Sequence, residues 1–394
     1  MRMRLTELLL VFLRLGCSSF GGPAAHIGYF HEECVRRRGW FEEAAFAELV
    51  ALCQFLPGPA SSQLVFAIGR ARAGFPGAVL ASLCFTLPSV LLMVGFAYGL
   101  AHLGGLREAA WLHGLKLAAV AVVAQAVWSM GGRLCPDWPR RALALVVAAC
   151  VLLLPGSAGQ LGAIVFGSLA GWLLYRGVVP AGPVAAESGL ARQHLWAAGA
   201  LILYGVLLVA LPVVAAGGEA PWAGLFDRFY RSGALVFGGG HVVLPLLRAE
   251  LVPPGLISDD AFLAGYGAAQ ALPGPLFSFA AYLGTVIEGG PQAWVGGLWC
   301  TFALFLPGWL LIGGALPFWH LLRGRIWAQA ALRGANAAVV GVLLAALWQP
   351  VCREAVHGPW DVLAAVLGFV LLEWLRAPSW SVVLGCLAAA QWLL

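Results

Sequence analysis

Long apolar stretches without charge alternate with short polar ones along this 394-residue chain. Five of these runs contain no Asp, Glu, Lys or Arg: Ala73–Leu106, Ala142–Tyr175, Ala261–Ile287, Gly289–Leu322 and Gly334–Cys352. Each can hold at least one helix of the roughly 20 residues needed to cross a bilayer. The pattern therefore predicts an all-α, polytopic integral membrane protein.

The predicted membrane segments form two similar series, with ten to thirteen segments in all. The first series is Leu5–Phe20, Phe46–Gly69 (broken), Pro76–Leu100, Ala109–Met130, Ala142–Leu154 and Gln160–Leu174. Leu195–Ala216 follows, and the second series is Trp222–Phe237, Ala261–Ile287 (broken), Trp294–Trp319, Ile326–Trp348, Val362–Leu375 and Trp380–Leu394. One segment of each series is interrupted by proline and glycine.

Composition removes the soluble alternatives. Hydrophobic residues make up 61% of the chain and charged residues 10%, with a mean hydropathy of +0.87. Soluble domains carry roughly 25% charged residues, and a chain this apolar cannot cover a water-facing surface. The formal charge of +5 comes from basic residues scattered beside apolar spans, which the positive-inside rule explains better than nucleic-acid binding does. We expect a lipid bilayer, and no nucleic acid, as the partner of this surface.

A pair of motifs in the first part of the chain returns in the second. Phe20–His26 (FGGPAAH) and Gln54–Ser62 (QFLPGPASS) correspond to Phe237–His241 (FGGGH) and Gln270–Ser278 (QALPGPLFS). A repeat at such a separation indicates a duplicated domain. We assign residues 1–175 to a first membrane repeat, 176–193 to a linker rich in Gly, Pro and Ala, and 194–394 to a second membrane repeat.

Loop charges predict opposite orientations for the two repeats. The first-half loop carries Arg36–Arg38, whereas its counterpart carries Arg248 among acidic residues that include Asp259 and Asp260. Because Lys and Arg near the membrane favour the cytoplasmic side, the first loop is expected inside and the second outside, as in an inverted repeat. Basic residues at the N-terminus favour the inside too. We therefore expect the first segment to turn back at Gly21-Gly22-Pro23 as a re-entrant hairpin.

Each repeat has one break at predicted membrane depth, Pro57-Gly58-Pro59 in the first and Pro273-Gly274-Pro275 in the second. Proline removes amide donors, and backbone groups freed in a membrane need protein or a polar cavity to satisfy them. New half-helices are expected to begin near Ser61–Gln63 and Phe277–Ser278, with N-terminal amides and a positive dipole end that favour an anion. The alternative is a proline kink that only shapes helix packing.

One arginine lies just before the glycine motif in each repeat. Arg14 and Arg231 occupy apolar runs at corresponding positions, and an intramembrane charge costs at least a few kcal/mol unless it is paired or faces water. They are either ligands of an anion or anchors that reach the membrane interface. Lys116 has the same two possible roles, and Glu48 either carries coupling protons or pairs with an arginine.

The resulting candidate residues share a position at a helix break, in a glycine motif or beside one. As substrate-binding residues we propose Arg14, Gly21, Gly22, His26, Gln54, Pro57, Gly58, Pro59, Ser61, Ser62, Gln63, Arg231, Gly238, Gly239, Gly240, His241, Gln270, Pro273, Gly274, Pro275 and Ser278. The nine cysteines form no CxxC pair and no Cys/His cluster with zinc spacing. We expect no metal, no cofactor and no catalytic residue.

These paired motifs resemble those of the chromate ion transporter family. The resemblance rests on FGGPxAHI at Phe20–Ile27, on Glu32 or Glu33, on Trp40, on QxLPGPxxxQ at Gln54–Gln63, and on FGGGHxxLP and QxxPGPxxSxA in the second half. It implies an exporter linked to the proton motive force, built from two homologous halves of opposite topology in the bacterial inner membrane. Chromate or a sulfate-like oxyanion is then the expected substrate.

Function classes can be separated by what the motifs lack. An enzyme would need a nucleophile with its base, a metal pair or a cofactor motif, and none is found. A scaffold would explain the hydrophobicity but not the repeated breaks. A secondary transporter of oxyanions, using alternating access with proton coupling or anion exchange, is the prediction, and a sulfate or other oxyanion channel or permease is the alternative. The sequence leaves open whether the ion is chromate, sulfate or molybdate, in which direction it moves, and whether the protein is a homodimer.

Overall fold

The computed structural model describes residues 2–102, 110–154, 156–177, 191–217, 221–237, 240–287, 293–319 and 325–393. Within these residues every regular element is a helix, which confirms the predicted all-α fold. The first half contains α1 (Arg2–Ser18), α2 (Gly22–His31), α3 (Glu43–Phe55), α4 (Ala60–His102), α5 (Ala110–Leu134), α6 (Trp138–Leu153) and α7 (Ser157–Tyr175). Most of the predicted linker, residues 178–190, lies outside the described residues.

The second half repeats this order after α8 (Ala191–Ala216). It contains α9 (Pro221–Ala234), α10 (Val243–Leu251), α11 (Asp259–Ala271), α12 (Phe279–Val286), α13 (Ala293–Ala315), α14 (Ile326–Ala346), α15 (Pro359–Glu373) and α16 (Ser379–Leu393). Short 3₁₀ or π-helical turns lie at Glu32–Arg37, Gly240–Val242, Leu276–Ser278, Leu316–Phe318 and Leu347–Cys352, and the last is followed by a helical turn at Arg353–Ala355.

Some of the described helices are long enough to cross a bilayer and others are shorter apolar helices. Among the described residues, six candidate spans are Ala60–Leu100, Ala110–Leu134, Ala158–Tyr175, His194–Ala216, Ala293–Phe318 and Ile326–Ala355. Leu276–Val286 and Ser379–Gln391 are shorter apolar helices. The expectation of ten to thirteen segments counted apolar stretches, and the breaks at the two Pro-Gly-Pro sequences leave several of them as half-length helices.

α4 is one of the places where two predicted segments have merged. Its backbone leaves the helical region at Ala73 and at Gly74, whose φ of 67° favours glycine. The chain turns there so sharply that a Cβ built on Gly69 would lie 2.4 Å from the Gly77 carbonyl oxygen. α4 therefore consists of two arms, residues 60–72 and 75–102, that touch through glycine. α12 and α13 form the corresponding hairpin, in which a Cβ on Gly284 would lie 2.3 Å from the Gly296 oxygen.

The two halves interlock. α5 of the first half packs on α15 and α16 of the second, and α14 of the second half packs on α6 and α7 of the first. Glycine allows the close approach in both cases: Gly114 lies against the backbone at Cys386, and Gly334 lies against the backbones at Gly167 and Gly171. Reciprocal contacts of this kind relate the halves by an approximate two-fold axis. Both large hydrophobic clusters contain residues of the two repeats, which are therefore not separate globular units.

The first two helices form the expected hairpin. The chain turns at Gly21, which has a φ of 98° in the left-handed region, and α2 with its π-helical turn runs back along α1. As a result Arg38 donates a 2.7 Å hydrogen bond to Glu7 near the start of α1. The N-terminal end and the arginine-rich loop therefore lie at the same end of the hairpin, which removes the conflict between their charges.

We predict that Arg37 and Pro254 face opposite sides of the membrane, as the loop charges of an inverted repeat require. Both residues are exposed in the described structure, which makes them suitable labelling positions. Arg37→Cys and Pro254→Cys, each made in a background without the exposed Cys17 and Cys150, are to be treated with an impermeant thiol reagent from either side. Labelling of both positions from one side would refute the inverted arrangement.

Candidate functional site

Both predicted helix breaks are present. α3 ends at Phe55 and α4 begins at Ala60, while α11 ends at Ala271 and the next helical turn begins at Leu276. The central glycines, Gly58 and Gly274, have φ values of 122° and 93°. Side chains other than hydrogen are strained at such angles, so the Pro-Gly-Pro sequence supplies both the end of one helix and the turn into the next.

Two backbone hydrogen bonds cross between the halves at these breaks. The Gly58 N–H donates to the Val236 carbonyl at 2.6 Å, and the Gly274 N–H donates to the Ser19 carbonyl at 2.8 Å. Ser19 and Val236 occupy corresponding positions just before the two glycine motifs. Each half therefore holds the broken helix of the other half through the same bond, which brings all four motifs together at the centre of the molecule.

The broken helices also pack closely on the long helices of the opposite half. A Cβ on Gly58 would lie 3.3 Å from Cα of Gly308, and one on Gly274 would lie 2.9 Å from Oγ of Ser89. Gly308 and Ser89 each follow a helix proline, in α13 and in the second arm of α4. Pro59 takes part in the same contact, since a Cβ on Gly308 would lie 2.9 Å from Pro59 Cδ.

Side chains from the new half-helices satisfy the carbonyls freed by the breaks. Gln63 is fully buried and donates from Nε2 to the Pro57 carbonyl at 2.8 Å. Ser278 donates from Oγ to the Pro275 carbonyl at 2.8 Å. In this structure their nitrogen and hydroxyl donors bond to the protein backbone, and their predicted contact with the anion stays a prediction. Gln63 Oε1 has no hydrogen-bond partner among the described residues.

Several buried polar atoms around the crossing bonds have no hydrogen-bond partner within the described residues. They are Ser19 Oγ, His26 Nδ1, Ser62 Oγ and Gln270 Nε2. Burying a polar group without a partner costs free energy, so such groups point to a ligand or water. The Ser62 and Ser19 hydroxyls and the Gln270 amide are hydrogen-bond donors, which is what an oxyanion requires. Ser61 is also buried in this region.

The glycine motifs and histidines lie around the same centre. A Cβ on Gly22, whose φ is 75°, would lie 3.9 Å from His241 Nε2, so the first motif faces the second. His241 Nδ1 lies 2.9 Å from the Tyr266 hydroxyl, and His26 Nε2 lies 3.3 Å from the Ser19 carbonyl oxygen. Gly240 begins a 3₁₀ turn. Gly238 and Gly239 lie outside the described residues.

Gln54 and Gln270, which correspond in sequence, differ in their surroundings. Gln270 is buried on α11, whereas Gln54 is exposed on α3. The structure thus brings only the second-half glutamine into the buried centre. The asymmetry follows from packing: α11 is enclosed between α5 and α16, while α3 has its main contact with α4.

The two candidate arginines are engaged in ion pairs. Arg14 pairs with Glu33, and Arg231 pairs with Glu250 at 3.2 Å and with Asp227 at 2.8 Å. Glu33 and Glu250 occupy corresponding positions in the two repeats. Direct contact of Arg14 and Arg231 with an anion therefore stays a prediction, because carboxylates already balance both guanidinium charges in this conformation.

Glu33 is ionised more readily than an ordinary glutamate. It lies in the turn Glu32–Arg37, outside the six candidate spans. Burial by itself raises its pKa, but the hydrogen bond from Arg38 and the nearby Arg14 charge outweigh burial and lower the pKa below the usual value. Lys116, whose role the sequence left open, pairs with Asp260 of α11. This ion pair joins the two halves.

Interlocked repeats of apolar helices, broken at their centre around buried polar groups, define the class of this protein: it is a multi-pass integral membrane protein with the architecture of a transporter. Comparison with known proteins specifies it further. The family model described as chromate transporter matches residues 6–172 and 223–391. The chain therefore belongs to the chromate transporter family, which confirms the resemblance found in the motifs.

Curated relatives match over nearly their whole length. The chromate transport protein of Pseudomonas aeruginosa is 29% identical over 403 residues, covering 98% of this chain and 92% of the relative. The probable chromate transport protein of Synechococcus elongatus is 28% identical over 374 residues, covering 93% and 89%. The chromate transport protein of Cupriavidus metallidurans is 27% identical over 402 residues, covering 97% and 91%. No solved structure gives a significant match.

Proposed function

We propose that this protein transports chromate, or a closely similar tetrahedral oxyanion, across the bacterial inner membrane. The named relatives support chromate as the substrate. The observation that carries the proposal is the pair of crossing hydrogen bonds, Gly58 to Val236 and Gly274 to Ser19, at the start of two broken helices. Such breaks are where membrane transporters place their substrates.

The anion is proposed to bind between the starts of α4 and of the helical turn Leu276–Ser278. Ser62 and Gln270 supply buried donors that have no partner among the described residues. The positive end of the α4 dipole adds to them, since Ala60 begins a helix whose first amides lack intrahelical acceptors. Donors of this kind replace the hydration of a dianion without placing a net charge beside it.

Alternating access is the proposed mechanism. Two halves related by an approximate two-fold axis can exchange conformations, so that one central site opens in turn to each side of the membrane. The crossing bonds lie where that exchange would take place, because each joins one half to the other. The family resemblance adds export as the direction, with coupling to the proton motive force or to a counter-anion.

Purified protein in liposomes tests the proposal. We expect chromate flux that saturates with concentration, that sulfate or molybdate inhibits by competition, and that responds to an imposed pH gradient or to a trans anion. Flux without saturation or gradient dependence would favour the channel alternative. Absence of oxyanion flux under every ion gradient, in protein shown to be folded, would overturn the transporter proposal.

A bulky side chain at Ser62 is expected to weaken transport. Ser62 is 2% exposed, so Ser62→Leu fills space beside the proposed anion and removes a donor; loss of one donor to a charged group corresponds to roughly 10-fold weaker binding. Gly205→Leu is the control, because a Cβ on Gly205 of α8 meets nothing within 4 Å. We expect Ser62→Leu to raise the half-saturation concentration for chromate and Gly205→Leu to leave it unchanged. Equal values for both variants would remove Ser62 from the site.

A further inference from the structure

A large cavity lies away from the crossing hydrogen bonds, between α3, both arms of α4, α8 and α13. It has a volume of about 1670 Å³. Its walls are mainly apolar and include Phe66, Val79, Leu203, Phe302 and Leu306. A hydrated dianion would gain little from such walls, since burying charge against apolar surface is costly. The shape and lining call for a ligand that is itself largely apolar.

An arginine lines this cavity and has no ion pair among the described residues. Arg70 lines it, with Nη1 3.7 Å from where a Cβ on Gly313 would lie. Among the described residues no carboxylate is found in an ion pair with Arg70, and the acidic Glu48 also lines the cavity. Arg72, two residues further on, pairs with Glu7 and stacks on Trp40. Arg70 therefore lies at the same end of the molecule as the arginine-rich loop.

Unused hydrogen-bond donors accompany this charge. The indole nitrogens of Trp309 and Trp319 and the hydroxyl of Ser82 all belong to residues that line the cavity. None of these three buried atoms has a partner in the part of the chain that the structure describes. Ser82 is 3% exposed. The cavity thus offers a cation and several neutral donors to a ligand that has acceptor oxygens, in addition to its apolar walls.

The lining is long enough to accommodate a lipid chain, and some of its side chains are exposed. Between Phe302 and Trp319, both in the lining, the helical path rises about 25 Å, compared with about 15 Å for half of the hydrocarbon core. Phe75 and Leu83 at its border are 66% and 53% exposed. α8, which forms one wall, has only 6% of its 18-residue apolar stretch buried. A ligand can therefore enter from the bilayer.

We propose that this cavity binds one anionic phospholipid from the membrane leaflet that faces the Arg36–Arg38 loop. The phosphate pairs with Arg70, the indole N–H of Trp319 donates to the headgroup region, and the acyl chains lie along Val79, Leu203 and Phe302. Charge complementarity selects the anionic headgroup, and the apolar walls select a lipid over a free oxyanion. The proposal does not depend on which solute the central site carries.

Native mass spectrometry of the purified full-length protein tests this site. Protein in detergent is titrated with phosphatidylglycerol or with phosphatidylcholine of the same acyl chains. We expect the wild type to retain one phosphatidylglycerol about fivefold more strongly than phosphatidylcholine, which is the contribution of a single basic side chain near an anionic surface. Arg70→Gln is expected to abolish this preference and Arg70→Lys to keep most of it. Arg353→Gln, at an exposed arginine outside the lining, is expected to change nothing.

A cavity-filling variant distinguishes chain binding from headgroup attraction. Gly199 lines the cavity, and a Cβ there meets nothing within 4 Å, so Gly199→Phe can occupy the cavity without a clash. We expect it to lower retention of both lipids. Equal retention of the two lipids by the wild type, an unchanged preference in Arg70→Gln, or displacement of the lipid by millimolar sulfate alone would overturn the proposal. Chromate flux in liposomes is measured separately, so loss of lipid selectivity is distinguishable from failure of the transport function.

Discussion

Replacing Gly58 or Gly274 by alanine is expected to lower chromate flux at least about tenfold. Both residues have a positive φ, which costs an alanine roughly 1–2 kcal/mol. Where this cost is added to the barrier of the transport step, about 1.4 kcal/mol slows that step tenfold. The methyl group also has no room: it would lie 2.7 Å from Gln63 Nε2 at position 58 and 2.9 Å from Ser89 Oγ at position 274. The crossing hydrogen bonds would shift, and with them the contact between the halves.

Gly156→Ala separates backbone strain from this contact. Gly156 has a φ of 112°, close to that of Gly58, but a Cβ there meets nothing within 4 Å. We expect Gly156→Ala to lower thermal stability slightly and to leave flux within about twofold of the wild type. Ser89→Gly combined with Gly274→Ala removes the overlapping hydroxyl and is expected to recover part of the flux. Full flux in Gly58→Ala and Gly274→Ala would show that the crossing bonds are not needed for transport.

Arg231→Gln is expected to destabilise the folded protein by about 3 kcal/mol. Asp227 and Glu250 are 3% and 7% exposed, and Arg231 pairs with both. Removal of one partner of a buried ion pair typically costs 3–5 kcal/mol because the remaining charge is uncompensated, and the lower figure applies because Arg228 stays 3.6 Å from Glu250. Thermal unfolding in detergent measures this loss.

A charge-balanced double variant then separates folding from transport. Arg231→Gln with Asp227→Asn removes one charge of each sign, so we expect stability to recover by more than half. If Arg231 also contacts the transported dianion, as its position in the sequence predicts, the folded double variant carries no chromate. Wild-type flux in the double variant would assign Arg231 to folding alone.

Arg14→Gln is the matched comparison in the first half. Glu33 keeps Arg38 at 2.8 Å and Arg37 at 3.8 Å after this change, so less charge is left uncompensated. We expect a smaller loss of stability than in Arg231→Gln, measured in the same way. A larger loss would mean that the Arg14 pair is the main brace of its hairpin.

The helix breaks could be predicted from sequence because their cause is local. Proline removes an amide donor and glycine accepts a positive φ wherever they occur, so Pro57-Gly58-Pro59 and Pro273-Gly274-Pro275 ended helices as expected. The duplication was visible for a similar reason, since corresponding residues recur at nearly constant separation. The same repeat could have revealed Glu33 and Glu250 as partners of Arg14 and Arg231, because all four share it.

Other features of the candidate site could not be read from the chain. Ser19 and Val236 act through their carbonyls, and any residue has a carbonyl, so their side chains gave no signal. Gln54 and Gln270 look equivalent in sequence, yet only Gln270 is enclosed. The ends of the predicted segments at Gly69 and Pro76 bracket the turn at Gly74, but the close contact of the two arms there could not be read from hydropathy, because it depends on how the chain folds back.

By itself the sequence determined the solvent of this protein, its helical class, its two repeats and the positions of its breaks. These properties depend on average hydrophobicity and on the local chemistry of proline and glycine, which do not require knowledge of neighbours. The tertiary structure decided which carbonyl each freed amide meets, which carboxylate balances each arginine, and which polar atoms stay unpartnered. Those outcomes depend on contacts between residues far apart in the chain, and the interlocking of the two halves sets them.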